Sequence, residues 1–143
     1  MYLRIAQISD AKMILEWRND PDTRNNSFSR ELISNEDHVK WLEKKLLEDS
    51  CRLYICCDGQ ENVGQIRIDV RENIGEVSYM VAPECRGKGY GTKILELAEN
   101  EAKDLNTLIG FVKKSNIASA KCFEKNGYVK FETPETLCFV KNV

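Results

Sequence analysis

Between residues 52 and 81 the chain carries three β-rich runs with only short polar turns between them, and a glycine-dense segment follows at once. Arg52–Cys57 (RLYICC) closes on Asp58-Gly59, a hairpin signal, while Val63–Val70 and Gly75–Val81 alternate apolar and polar side chains. These runs predict an antiparallel meander of three strands. Met80-Val-Ala-Pro-Glu-Cys-Arg-Gly-Lys-Gly-Tyr-Gly-Thr92 comes next, with three glycines in five residues interleaved with a cation and an aromatic. Beyond it, Ile94, Leu95, Leu97, Ala98 and Ala102 recur at helical spacing. A meander that runs into a glycine loop and a helix points to a layered α+β fold.

The flanking segments extend that pattern. Leu3–Ile8 predicts a strand, and Ser9-Asp10 a cap for a helix carrying Met13, Ile14 and Trp17. Asn19-Asp-Pro-Asp22 reads as its end, because the residue before a proline is pushed out of the helical region. Asp22–Ile33 is polar and irregular. Ser34-Asn-Glu-Asp37 resembles a capping box, and the helix after it carries Val39, Leu42, Leu46 and Leu47 on one face. Leu108–Val112 predicts a strand. Ser115-Asn116 starts a helix through Ala118, Cys122 and Phe123, and Asn126-Gly127 stops it. Tyr128–Phe131 and Leu137–Val140 predict a closing strand pair. The order β-α-α-β-β-β-α-β-α-β-β shows no repeat and no boundary, so residues 1–143 are read as a single domain.

Composition removes several function classes. With 42% hydrophobic and 31% charged residues, the chain is globular rather than disordered. A net charge of −2 argues against nucleic acid as a partner, since phosphate binding needs a basic surface. No apolar stretch is long enough to cross a membrane, and the N-terminus lacks the apolar core of a secretion signal, which predicts a cytoplasmic protein. The six cysteines show no C-x-x-C spacing and there is one histidine, so no metal site is expected; the cysteines read as reduced thiols, mostly in the core.

The glycine loop suits an anion. A helix start offers unpaired N–H groups and the positive end of the helix dipole. Glycines at 87, 89 and 91 allow a ligand to approach the backbone, and Arg86, Lys88 and Lys93 add charge. The dinucleotide pattern G-x-G-x-x-G does not fit the G-x-G-x-G spacing, and the P-loop pattern lacks its Gly-Lys-Ser/Thr. A phosphate or pyrophosphate on a different scaffold and a glycine-rich turn that holds nothing are the remaining readings.

Arg86-Gly-Lys-Gly89-Tyr-Gly91 resembles the R/Q-x-x-G-x-G/A signature of the GNAT acetyltransferase superfamily, whose loop after the fourth strand binds the pyrophosphate of acetyl-CoA. Val112 to Tyr128 is similar to that family's V-x-x-x-N-x-x-A/S-x-x-x-Y/F-E-K-x-G-F/Y segment. The resemblance spans essentially the whole chain. It implies a mixed, mostly antiparallel sheet whose fourth and fifth strands splay, with helices on its faces. It implies acetyl-CoA as co-substrate, no metal, and direct attack by an amine in a ternary complex. Carried over, the cofactor-binding residues are Met80, Val81, Arg86, Gly87, Lys88, Gly89, Gly91, Thr92, Asn116 and Phe123. A main-chain N–H near Met80 or Val81 would polarise the thioester carbonyl. Glu76, on the fourth strand, is the candidate base acting through water. Many members carry a general-acid tyrosine at the position of Phe123, so here the proton donor is Tyr79, Tyr128 or water, or proton donation is dispensable.

For the acceptor side, Leu15-Glu-Trp-Arg18-Asn-Asp-Pro21 and Ile33-Ser-x-x-x-His38-x-x-Trp41-Leu42 resemble the branch that acetylates a UDP-linked 4-amino-4,6-dideoxy sugar in the pseudaminic acid pathway. Arg18 and His38 then become substrate-binding residues, and His38 a second candidate to take the amine proton. The plainer alternatives are Arg18 paired with Asp20 or Glu36 and His38 without a role. A related branch acetylates ribosomal-protein N-termini, which keeps a peptide acceptor open, and the lost tyrosine leaves room for a non-catalytic acyl-CoA sensor. A homodimer is compatible with all of these.

Overall fold

The computed structural model describes residues 1–143. Seven strands form one mixed sheet: β1 (Tyr2–Ile5), β2 (Cys51–Asp58), β3 (Glu61–Arg71), β4 (Ile74–Val81), β5 (Thr107–Lys113), β6 (Val129–Glu132) and β7 (Thr136–Asn142). Their order across the sheet is β1-β2-β3-β4-β5-β7-β6. All neighbours are antiparallel except β4 and β5. A parallel pair needs a crossover, and α4 (Tyr90–Asn100) supplies it. The other helices are α1 (Ala11–Asn19), α2 (Pro21–Asn25), α3 (Asn35–Leu47) and α5 (Ile117–Lys125). No helix is long and apolar enough to cross a membrane.

Period-2 alternation sends each strand's side chains to two different layers. On one face Ile66, Ile68, Val77, Leu108 and Phe139 are buried with Ile94, Leu95 and Ala98 of α4 and Phe123 of α5. On the other, Ile14 and Trp17 of α1 and Leu42 of α3 are buried, and α3 packs on β2. Truncating Leu42, which has no exposed surface, to alanine costs about 2–5 kcal/mol. Gly110 fits the first layer tightly: a Cβ there would lie 2.5 Å from the tip of the Phe123 ring.

β4 pairs with β3 along its whole length, from Arg71↔Ile74 to Gly64↔Val81. β5 and β7 likewise pair from Thr107 to Lys113. Between them, β4 and β5 pair at only three positions, Ile74↔Thr107, Gly75↔Leu108 and Glu76↔Ile109, and then part. The Ala82 N–H donates to Val63 O of β3. Alternation therefore turns the amides of Met80 and Ser78 toward β3 and those of Tyr79 and Val81 toward the gap, while the Val77 amide faces β5 at the last pair, Glu76↔Ile109.

Several element boundaries differ from the sequence reading. β1 stops at Ile5, and Ile8–Asp10 form a 3-10 turn. Asp10 does not cap α1; its carboxylate accepts from the Gln7 N–H and holds Arg4 through two bonds of 2.8 and 2.9 Å. Pro21 ends one helix but also begins another: Asp20 caps α2 by accepting from the Asp22 and Thr23 N–H groups, with Pro21 at the first helical position, where its missing N–H is harmless. Ser34 caps α3 as expected, accepting from the Asp37 N–H.

Candidate active site

Where β4 and β5 part, a cavity of about 750 Å³ opens through the sheet. One wall is the inner edge of β4 and the start of α5; the glycine loop follows β4 and lies beyond the cavity lining. Gly89 has φ +80° and is the residue before α4; no side chain caps that helix. Gly87 has φ +78°, and at both glycines the space beside Cα is open. The first-turn N–H groups of α4 therefore face outward without a side-chain acceptor. Gly91 serves close packing instead, since a Cβ there would sit 2.9 Å from the Cys122 sulfur. Thr92 O accepts from Asn126, just past the end of α5, which ties the start of α4 to the end of α5. Lys88 is exposed beside them.

Asn116 caps α5 by accepting from the Ser119 N–H, and with Ser119 and Phe123 it lines the cavity. Phe123 is buried, stacked on Phe139 at 5.0 Å and edge-on to Tyr128 at 4.9 Å. Tyr79 meets the same ring edge-on, and its hydroxyl lies 2.9 Å from Ser119 Oγ. Burial raises the Tyr79 pKa, with Cys122 adding to it, so the phenol stays protonated. The buried Tyr128 hydroxyl bonds to nothing and is likewise shifted upward by burial.

The opposite wall is made of side chains. Arg18 of α1 donates from Nη2 to Ser29 O at 3.1 Å, while its Nη1 is buried without a partner. Burial, and then the Arg24 charge, lowers its pKa. No carboxylate pairs with it: Asp20 holds Arg86, and Glu36 holds Lys40. His38 of α3 is 2% exposed and stacked on Trp41, and its Nε2 is buried without a partner. Burial lowers its pKa below 6.5, so the imidazole is neutral at pH 7 and free to accept a proton.

Two cations tie the walls together. Arg86 donates to Asp20 at 2.7 Å, Thr23 Oγ1 at 2.8 Å and Asp22 at 3.4 Å. Lys113, at the end of β5, donates to Asn25 O at 3.1 Å. The short helix α2 thus spans the open end of the gap, tied on both sides.

Of the residues singled out from sequence, Arg18, His38, Met80, Asn116 and Phe123 line this one cavity. Met80 does so with its side chain, since its amide faces β3. Glu76 does not line it; it sits at the last β4–β5 pair, opposite Asp69 of β3. Sequence reasoning missed Arg67, whose guanidinium lies 5.3 Å from the Trp41 ring centroid and bonds Asp69 at 2.9 Å. Its signal was available: Gln65, Arg67 and Asp69 alternate onto one polar strand face, under the helix bearing Trp41. Phe28 and Ser29, which also line the cavity, carry no such signal.

Comparison with known proteins fits this geometry. The family described as acetyltransferase (GNAT) domain matches residues 1–129. A putative phosphinothricin acetyltransferase, YwnH of Bacillus subtilis (strain 168), is 28% identical over 141 residues, covering 92% of this chain and 85% of its own. Among solved structures, spermidine N-acetyltransferase from Vibrio cholerae in complex with CoA and spermine has a TM-score of 0.90 at 17% identity, over 98% of this chain and 94% of that one. Ribosomal-protein-alanine N-acetyltransferase from Brucella melitensis has a TM-score of 0.83 at 21% identity over the full length of both. Both structures share the overall fold of this chain.

Proposed function

The chain belongs to the GNAT acetyltransferase family, enzymes that use acetyl-CoA to acetylate amines, and on that premise we propose an anionic acceptor: the 4-amino group of a UDP-linked 4-amino-4,6-dideoxy sugar. Arg18 carries the proposal. A buried guanidinium nitrogen with no partner and no counter-ion is costly, and a diphosphate would supply two acceptors in a geometry the guanidinium matches. The same unpaired charge opposes a polycation such as the spermine bound by the Vibrio cholerae enzyme. Arg67, 5.3 Å from the Trp41 ring centroid and paired with Asp69, stands in the same wall.

The residues fit acetyl-CoA as the donor, which brings an already activated thioester. Tyr79 and Val81 present the bare strand edge to an amide-bearing arm, and buried bare edges call for such a partner. Gly87, Gly89, Gly91, Thr92 and Lys88 surround the α4 start, where a pyrophosphate would sit. The Val81 or Tyr79 N–H is placed to donate to a carbonyl oxygen in the gap. Asn116 and Phe123 flank the arm. His38 takes the amine proton or orients the sugar, and Glu76 acts through water from the closed end of the gap. The Tyr79 hydroxyl, rather than a residue at position 123, is the proton donor nearest the arm. Arg86 reaches a pyrophosphate only by exchanging Asp20, Asp22 and Thr23 for it, which couples donor arrival to the strap over the acceptor wall.

The test is acetyl transfer followed by mass spectrometry, with acetyl-CoA and, in parallel, the UDP-4-amino sugar, phosphinothricin, spermidine and an alanine-starting peptide. Acetylation of the sugar nucleotide that collapses in Arg18→Ala supports the reading. Faster acetylation of spermidine or the peptide overturns it, and transfer to none of the four while acetyl-CoA still binds would favour a sensor.

A further inference from the structure

The β5–β7–β6 side of the sheet differs from the rest in having a layer on one face only. α5 covers Gly110, Leu137 and Phe139. On the other face Phe111, Cys138 and Phe131 line up across the three strands, and Ile109, Val140 and Val129 beside them. Phe111 is 46% exposed, Phe131 56% and Val129 58%. β6 is also the sheet's outer strand, with one backbone edge unpaired. Bare edges of this kind recruit further strands unless charge or shape forbids it.

We propose that β6 pairs antiparallel with β6 of a second copy, about a two-fold axis at Phe131. Two independent features select that register. The first is hydrogen-bond parity. The Thr133 N–H donates to Thr136 O, so alternation directs the backbone groups of Phe131 and Val129 to β7 and those of Lys130 and Glu132 to the free edge. Centring the pair on Phe131 sets Lys130 opposite the partner's Glu132, and Glu132 opposite the partner's Lys130, with both hydrogen bonds formed at each pair. Phe131 then meets its own copy at a non-hydrogen-bonded position, where side chains lie closest.

The second feature is charge. A two-fold axis on Lys130 would oppose two lysines, and one on Glu132 two glutamates. Only the Phe131 register opposes unlike charges, and it does so twice. The two charged side chains lie on the face with α5, where Lys130 reaches Glu132 at 3.7 Å within the chain; the apolar side chains lie together on the uncovered face. The pattern is self-complementary, as an isologous interface requires.

Charge reversal tests this through sedimentation and light scattering. Wild type is expected to be a dimer. Lys130→Glu and Glu132→Lys each place like charges opposite one another twice and are expected to weaken it about 10-fold or more. Mixing the two single variants restores unlike pairs at every position and is expected to give a heterodimer. The double reversal K130E/E132K is expected to dimerise alone. Recovery on mixing also shows that each variant is folded. A monomeric wild type, a dimer that survives both single reversals, or a mixture that stays monomeric overturns the proposal.

Discussion

The two walls of the cavity are built from different materials. The donor side presents backbone: a strand edge in the cavity and, beyond it, the uncapped start of α4 with two glycines in the left-handed region. The acceptor wall presents side chains gathered from α1, α3, β3 and the segment between α2 and α3. A backbone wall needs residues that leave room and permit unusual dihedrals, so it constrains sequence locally and recurs as a short motif. A side-chain wall is assembled from distant positions, each replaceable by itself. One wall therefore serves a constant donor and the other a variable acceptor.

The largest test of this contrast is Arg18→Ala. It should lower kcat/KM for the anionic acceptor by about 100-fold, the loss of a buried charged contact, with acetyl-CoA affinity unchanged. Steady-state kinetics in each substrate, with acetyl-CoA binding by calorimetry, would check it. Gly89→Ala should do the reverse. Its Cβ meets nothing within 4 Å, but φ +80° costs a side chain about 1–2 kcal/mol, so acetyl-CoA binding should weaken roughly 10-fold while acceptor KM holds. Arg86→Gln is where the separation should fail. This residue serves the glycine loop and ties α2, so a few-fold rise is expected in both KM values.

The smallest effect concerns pH. Burial holds the folded His38 below 6.5, so the unfolded chain binds more protons in the window between the folded value and 6.5. The stabilisation from keeping the ring neutral is complete above 6.5 and is lost as pH falls through that window. Comparing thermal melts at pH 7.5 and 5.5, wild type should lose more than His38→Gln. The activity that depends on His38 as an acceptor should fall over the same acidic range.

This division also explains what could be read in advance. The meander, the glycine loop and the α5 cap are local patterns, and each appeared where its residues placed it. Pro21 misled, because its single effect on the preceding residue is the same whether the chain then turns or starts α2; Asp20 decides, through bonds to residues that follow. Asp10 misled because its partner, Arg4, lies on β1, which no capping rule considers. Arg18 was marked by motif, yet its lack of a counter-ion follows only from where Asp20 and Glu36 turn. Arg67 became visible only when β3 was given a face.

The parting of β4 and β5 leaves a signature that exchange with heavy water would record residue by residue. Past the last β4–β5 pair, Ser78 and Met80 direct their amides into the β3 ladder, whereas Tyr79 and Val81 direct theirs into the gap. In the free protein, protection should therefore alternate with a period of two, slow and fast, within a strand paired along all of its other edge. Donor binding should slow the fast set alone and turn the alternation into a uniformly protected strand.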